Sequence, residues 1–114
     1  MIKMTLPRNL LNQLPDAMKA EQFDPLFQKP GLLVERIVSH GQVTPEGEWY
    51  DQTWDEWILL LAGHAEIIIE GNKEPTHLIP GDSILLSARC RHRVTGTATD
   101  SQTVWLAVHY GKPD

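Results

Sequence analysis

GEWYDQTWDEWILLLAGHAE, residues 47–66, sets three Trp, one Tyr, two Asp and three Glu around an apolar run that stops at a glycine. WILLLA (57–62) and AEIIIE (65–70) read as two strands flanking Gly63-His64, since short aliphatic runs bounded by a turn residue pair as a hairpin. The aromatic and acidic residues before the first strand admit two readings. They form either a strand edge with a polar face, or one half of a ligand site.

Outward from this hairpin the pattern repeats. Downstream, GNKE (71–74) leads to THLI (76–79), Pro80-Gly81-Asp82 precedes SILLS (83–87), RHRVT (91–95) follows, and TVWLAVHY (103–110) closes the chain. Upstream, EWYDQ (48–52) follows the turn TPEG, and LLVERIVS (32–39) ends at His40-Gly41. Seven or eight short strands punctuated by Gly and Pro predict an all-β sandwich or barrel. Several runs are apolar on both faces, which predicts that a second subunit covers one of them, making a homodimer. There is no fixed-period repeat and no low-complexity segment.

Residues 6–30 differ from the rest. Prolines at 7, 15, 25 and 30 divide them, Asp16 and Asp24 stand where helix N-caps would, and Pro25 suits a first helical position. The expectation is one or two short helices with Leu10, Leu11, Leu14, Phe23, Leu26 and Phe27 on the buried side. The chain thus divides into a helical or irregular N-terminal segment (1–30), too short to bury its own core, and a β-domain (31–114).

The 114 residues carry a formal net charge of -5 with no basic stripe, which argues against nucleic acid as a partner. Cys90 is the only cysteine, excluding an intramolecular disulfide and a thiolate cluster. The start, MIKMTLPRNLLNQLP, lacks the apolar stretch of a signal peptide, and WILLLA is too short to span a bilayer. The expectation is a soluble cytoplasmic protein with no membrane partner.

Two motifs carry a family resemblance. Glu56, six residues and Gly63 resemble the end of the first cupin motif, in which two histidines one residue apart precede the glutamate. PGDSILLSARCRHRV (80–94) resembles the second, whose histidine falls on His92, and 16 residues lie between Gly63 and Pro80. From about residue 31 the chain is also similar to a group of small bacterial cupin-domain proteins. The resemblance implies a double-stranded β-helix, or jelly-roll barrel, with a site in its mouth. This chain departs from the motif at the two histidines. With four residues before Glu56 the pair falls on Trp49 and Asp51; with three it falls on Tyr50 and Gln52.

The resemblance makes Glu56 and His92 candidate ligands of a divalent metal ion, with Asp51 or Gln52 adding oxygen and Asp51 preferred for its charge. Imidazole and carboxylate together suit Mn, Fe, Ni, Co or Zn, and one His with two carboxylates leans toward Mn or Mg. If the barrel has lost its metal, Glu56 and His92 should hydrogen-bond each other. Trp49, Tyr50 and Gln52 are the candidate ligand-binding residues at the mouth; packing is the competing reading for the two aromatics, as for Trp54, Trp57 and Trp105. Arg89, Arg91 and Arg93 flank His92 and read as a solvated edge, or, with one turned inward, as a clamp for an anion. Cys90 reads as inert packing. His40, His64 and His77 read as surface residues, and His109, on the same strand parity as Trp105, as a packed and hydrogen-bonded histidine.

These readings converge on a metal-dependent enzyme for a small polar or anionic molecule, by dioxygenation, isomerisation or decarboxylation. A non-catalytic ligand-binding or sensing module and a structural dimer with a vestigial pocket are the alternatives. The fold does not choose among them.

Overall fold

The computed structural model describes residues 6–111. Its strands are β1 (Gln22–Lys29), β2 (Leu32–Ser39), β3 (Asp55–Ala62), β4 (Ala65–Ile69), β5 (Thr76–Leu78), β6 (Ser83–Leu86), β7 (His92–Thr97) and β8 (Thr103–Tyr110). They form a five-stranded sheet, β1-β2-β8-β3-β6, facing a three-stranded sheet, β5-β4-β7, with antiparallel pairing throughout. This is the jelly-roll barrel, closed around one core.

Strand alternation decides what faces that core. On β3 and β8 the inward pairs run Leu60 with Trp105, Ile58 with Ala107, then Glu56 with His109. The first two pairs are apolar and buried, and they pack with Ala65, Ile67, Leu78 and Leu86. The third pair is polar and equally buried. In the small sheet Val94 lies opposite Ile67 and His92 opposite Ile69, so the same alternation sends Arg91 and Arg93 to the other face.

Gly63 makes the β3–β4 turn at φ 82°, where a side chain would be strained. A Cβ there would also stand 2.7 Å from the Thr103 Cα. The turn admits glycine alone.

The helices expected between residues 6 and 30 are absent among the described residues. Residues 22–29 instead form β1, the outer strand of the large sheet, so the sheet begins before residue 31. Pro25, read as a helix start, is tolerated because an edge strand has one row of N–H groups facing no partner; the register also shifts between Pro25 and Phe27. Asp16 does cap locally, accepting from the Met18 N–H at 2.9 Å, but the chain does not continue into a helix. Leu10, Leu14 and Leu26 are half-buried, whereas Leu11, Phe23 and Phe27 are exposed, against expectation.

Residues 6–21 strap across the barrel through polar contacts. The buried Arg36 donates to the Leu10 carbonyl (3.0 Å) and to Asp24 (3.0 Å), and Asp24 also accepts from Arg8 (2.6 Å). Ala17, fully buried, donates to the Gln102 side chain (2.7 Å) and accepts from that of Gln42 (2.6 Å). EWYDQ, expected as a strand, contributes a single bridge between Tyr50 and His92. No helix of the described residues is long and apolar enough to cross a membrane.

Candidate functional site

A cavity of about 120 Å³ opens at the polar end of the barrel. Its floor is Ile58, Ile67, Leu86, Val94 and Trp105, and Glu35, Gln52, Glu56, His92 and His109 project into it. Glu21, Phe23 and Tyr50 stand at the opening. Glu35, Glu56, His92 and His109 come from four different strands, β2, β3, β7 and β8, brought together by non-local pairing.

His92 is held in one tautomer. Its Nδ1 lies 3.0 Å from the Cys90 carbonyl, which can only accept, so Nδ1 carries the hydrogen and Nε2 faces the cavity. Nε2 is 3.7 Å from Glu56 Oε1. The Tyr50 ring stacks on the imidazole at 5.4 Å between centroids, and the two backbones exchange hydrogen bonds of 2.8 and 3.1 Å.

His109 shares the other Glu56 oxygen. Its Nε2 lies 3.7 Å from Glu56 Oε2 and 3.6 Å from Glu35 Oε1, and Trp54 stacks on its ring at 5.1 Å. These contacts are ion-pair distances, longer than hydrogen bonds. Both His109 nitrogens are buried with no hydrogen-bond partner, and so is Gln52 Oε1. His109 is thus packed as expected but not hydrogen-bonded.

Electrostatics follow from the burial. Desolvation pushes the Glu56 carboxyl above the ordinary carboxylate range; His109 and His92 oppose this, and Glu35 adds to it. Burial alone would lower His109, but Glu35 and Glu56 outweigh it and hold the imidazole above its ordinary value. Burial, then the charges of Glu21 and Glu56, push the Tyr50 phenol up.

Of the residues singled out in the sequence, Glu56 and His92 are brought together inside the barrel. Tyr50 and Gln52 join them, which selects the three-residue spacing before Glu56. Asp51, the preferred further ligand, points elsewhere: alternation turns it outward, where it pairs with Arg89 at 3.0 Å. Trp49 likewise lies outside the cavity lining, with Arg91 and Arg93 over its ring at 5.5 and 5.8 Å. None of the three arginines clamps the cavity, since Arg91 also pairs with Glu70 at 2.7 Å and Arg93 reaches the Thr44 carbonyl at 3.4 Å. His64 and His77 are exposed, while His40 is half-buried with Nε2 3.0 Å from the Thr99 carbonyl.

Glu21, Phe23 and Glu35 were not anticipated. Glu35 had a signal: in LLVERIVS it shares strand parity with Leu33 and Ile37, a carboxylate on an apolar row. Glu21 and Phe23 had none, because their segment reads as helical.

The sequence matches the family profile described as Cupin domain over residues 36–109. The chain belongs to the cupin family. Among solved structures, this cupin is similar to a Ralstonia eutropha JMP134 protein described as a "putative mannose-6-phosphate isomerase", at 43% identity and TM-score 0.89. That match covers 93% of this chain and 98% of the other. A cupin superfamily protein from Desulfitobacterium hafniense DCB-2 superposes at TM-score 0.76 with 15% identity, covering 96% of this chain and 94% of its own, and shares the fold. A conserved Streptococcus pyogenes protein of unknown function superposes at TM-score 0.75 with 20% identity, over 99% of this cupin and 92% of its own length. No curated protein matches the sequence significantly.

Cupins commonly bind metals. Among the described residues, no three His, Cys, Asp or Glu groups stand pre-assembled as a coordination shell. The types nevertheless fit a divalent ion: two imidazoles and two carboxylates, with both His109 nitrogens lacking any other partner. Three nitrogen–oxygen contacts among them, His92–Glu56, His109–Glu35 and His109–Glu56, are 3.6–3.7 Å.

Proposed function

We propose that this cupin is a metal-dependent enzyme that shifts a proton on a small polar molecule held in the barrel mouth. The observation carrying this is His109, a buried imidazole whose nitrogens have no hydrogen-bond partner and whose Nε2 faces two carboxylates, one of them shared with a tautomer-fixed His92. Glu56, His92 and His109 would hold a divalent ion such as Mn, Fe, Ni or Zn. When bound, such an ion supplies Lewis-acid polarisation of a substrate oxygen.

The chain's other residues have separate work. Glu35 is positioned to take the substrate proton. The Tyr50 phenol donates a hydrogen bond, and Gln52 Oε1 accepts one. Trp105, Ile58 and Leu86 exclude water from below. The isomerase description of the Ralstonia eutropha relative agrees with proton-shift chemistry rather than oxygen chemistry.

Elemental analysis of protein purified without chelators or a metal-affinity tag is the test. About one ion per chain is expected, falling sharply in His92→Ala and Glu56→Gln and unchanged in Asp51→Asn. Metal-free wild type, or full loading in His92→Ala, would overturn the assignment. A non-catalytic ligand-binding module is the second reading, favoured by the unassembled coordination shell; a ligand that raises Tm in metal-free protein without turnover would select it.

The homodimer belongs to the same proposal. The outward row of the large sheet includes Trp57, Leu85 and Val108 in register, with Leu85 exposed at 53%. Such an apolar row is expected to be covered by a second copy, and a monomer in sedimentation at micromolar concentration would count against it.

A further inference from the structure

The cavity is lined by three carboxylates, Glu21, Glu35 and Glu56, and by no lysine or arginine. We propose that it selects a small organic cation, a primary ammonium compound, and that Glu21 with the aromatic rings at the opening is the selecting element. The inference rests on the ligand pocket proposed above but not on its metal. A divalent ion cancels only two of the three negative charges, so the pocket stays negative with or without it. A cationic His109 leaves the same sign.

Three further observations point to an ammonium group. Glu21 is fixed in place, its carboxylate accepting from the fully buried Ser39 hydroxyl at 2.5 Å. Phe23 and Tyr50 also line the cavity, 57% and 40% exposed, and Tyr50, stacked on His92 through one face, keeps the other for a cation. The unpartnered Gln52 Oε1 is an acceptor, so together with the carboxylates it asks for a ligand that donates hydrogen bonds. The basic side chains nearby are engaged elsewhere: Arg36 by Leu10 and Asp24, Arg89 by Asp51, Arg91 by Glu70, and Arg93 over Trp49.

Size agrees with charge. A cavity of about 120 Å³ is close to one that holds a benzene-sized molecule, on the order of six heavy atoms. A hexose phosphate brings the wrong charge. By charge, an ammonium compound is expected to be preferred here over the phosphorylated substrate in the Ralstonia eutropha relative's description.

The test is a series sharing one chain and differing in head charge: butylammonium, 1-butanol and butanoate, with mannose 6-phosphate as a fourth probe. Each is titrated by NMR against metal-loaded and metal-free protein. Butylammonium is expected to bind at least tenfold more tightly than the other three in both forms. Glu21→Gln should remove that margin while leaving metal content intact, and Glu21→Lys should reverse the order of butylammonium and butanoate. Equal or tighter binding of butanol, butanoate or mannose 6-phosphate would overturn the proposal, as would an unchanged margin in Glu21→Gln. Loss of metal loading with the ammonium preference retained would sink the metal reading alone.

Discussion

The two ends of this barrel are built on the same strands and do opposite things. At the closed end, β3 and β8 bring together Leu60 and Trp105, both buried in the apolar core. Four residues along, the same pairing brings together Glu56 and His109, both buried and neither hydrogen-bonded in the usual way. Burying an unpaired polar group costs free energy that burying leucine returns. The fold therefore concentrates stability at one end and carries strained electrostatics at the other, which is the arrangement expected of a functional site.

The largest expected effect lies at the closed end. Leu60 is fully buried in the centre of the core. Leu60→Ala removes packed methyl groups and leaves a void, so it should destabilise by about 2–5 kcal/mol in urea unfolding. Ligand and metal stoichiometry measured on the remaining folded protein should not change. A loss under about 1 kcal/mol would mean that the two ends do not divide labour as described.

The open end should instead show itself in pH. Glu56 and His109 both have folded pKa values above their ordinary ones. The native chain therefore binds these protons more tightly than the unfolded chain, and their contribution is fully present below the unfolded values. It is lost as pH rises through the carboxylate range toward the raised Glu56 value, and again as pH rises past the ordinary imidazole value toward the raised His109 one. Metal-free protein should lose thermal stability across those windows. Glu56→Gln should flatten the lower one and His109→Gln the upper. A wild-type Tm that rises through both windows, or variants that leave the profile unchanged, would remove the electrostatic half of the comparison.

This division was only half legible in the sequence. The barrel could be read because strand runs, Gly63 and Pro80-Gly81-Asp82 are local signals, and Glu56 and His92 because they fall at motif positions. Glu35 had only its strand parity to mark it, and His109 read as packing, because β8 comes to lie between β2 and β3 only through pairings between distant segments. Tyr50 and Gln52 against Trp49 and Asp51 was a question of parity, which a spacing of three or four residues leaves open. The bridge between Tyr50 and His92 settles it. The N-terminal segment misled because Asp24-Pro25 opens a helix as well as it occupies an edge strand.

The smallest expected effect tests that parity from outside. Asp51 sits one residue from the cavity-lining Tyr50 and Gln52 but is turned outward to Arg89, 64% exposed at the arginine and 33% at the aspartate. Solvent screens such a pair, so Arg89→Ala should change stability by no more than about 1 kcal/mol, and less at high salt. Residue 89 also has a left-handed φ of 65°, a strain that Arg and Ala share and that cancels in Arg89→Ala. Arg89→Gly separates the two terms: it removes the ion pair but relieves the backbone, so it should be no less stable than Arg89→Ala. If either variant also lost metal or ligand binding, the rim would be part of the site and the inward-outward division of residues 49–52 would fail. Unchanged binding in both would confine function to the inward row.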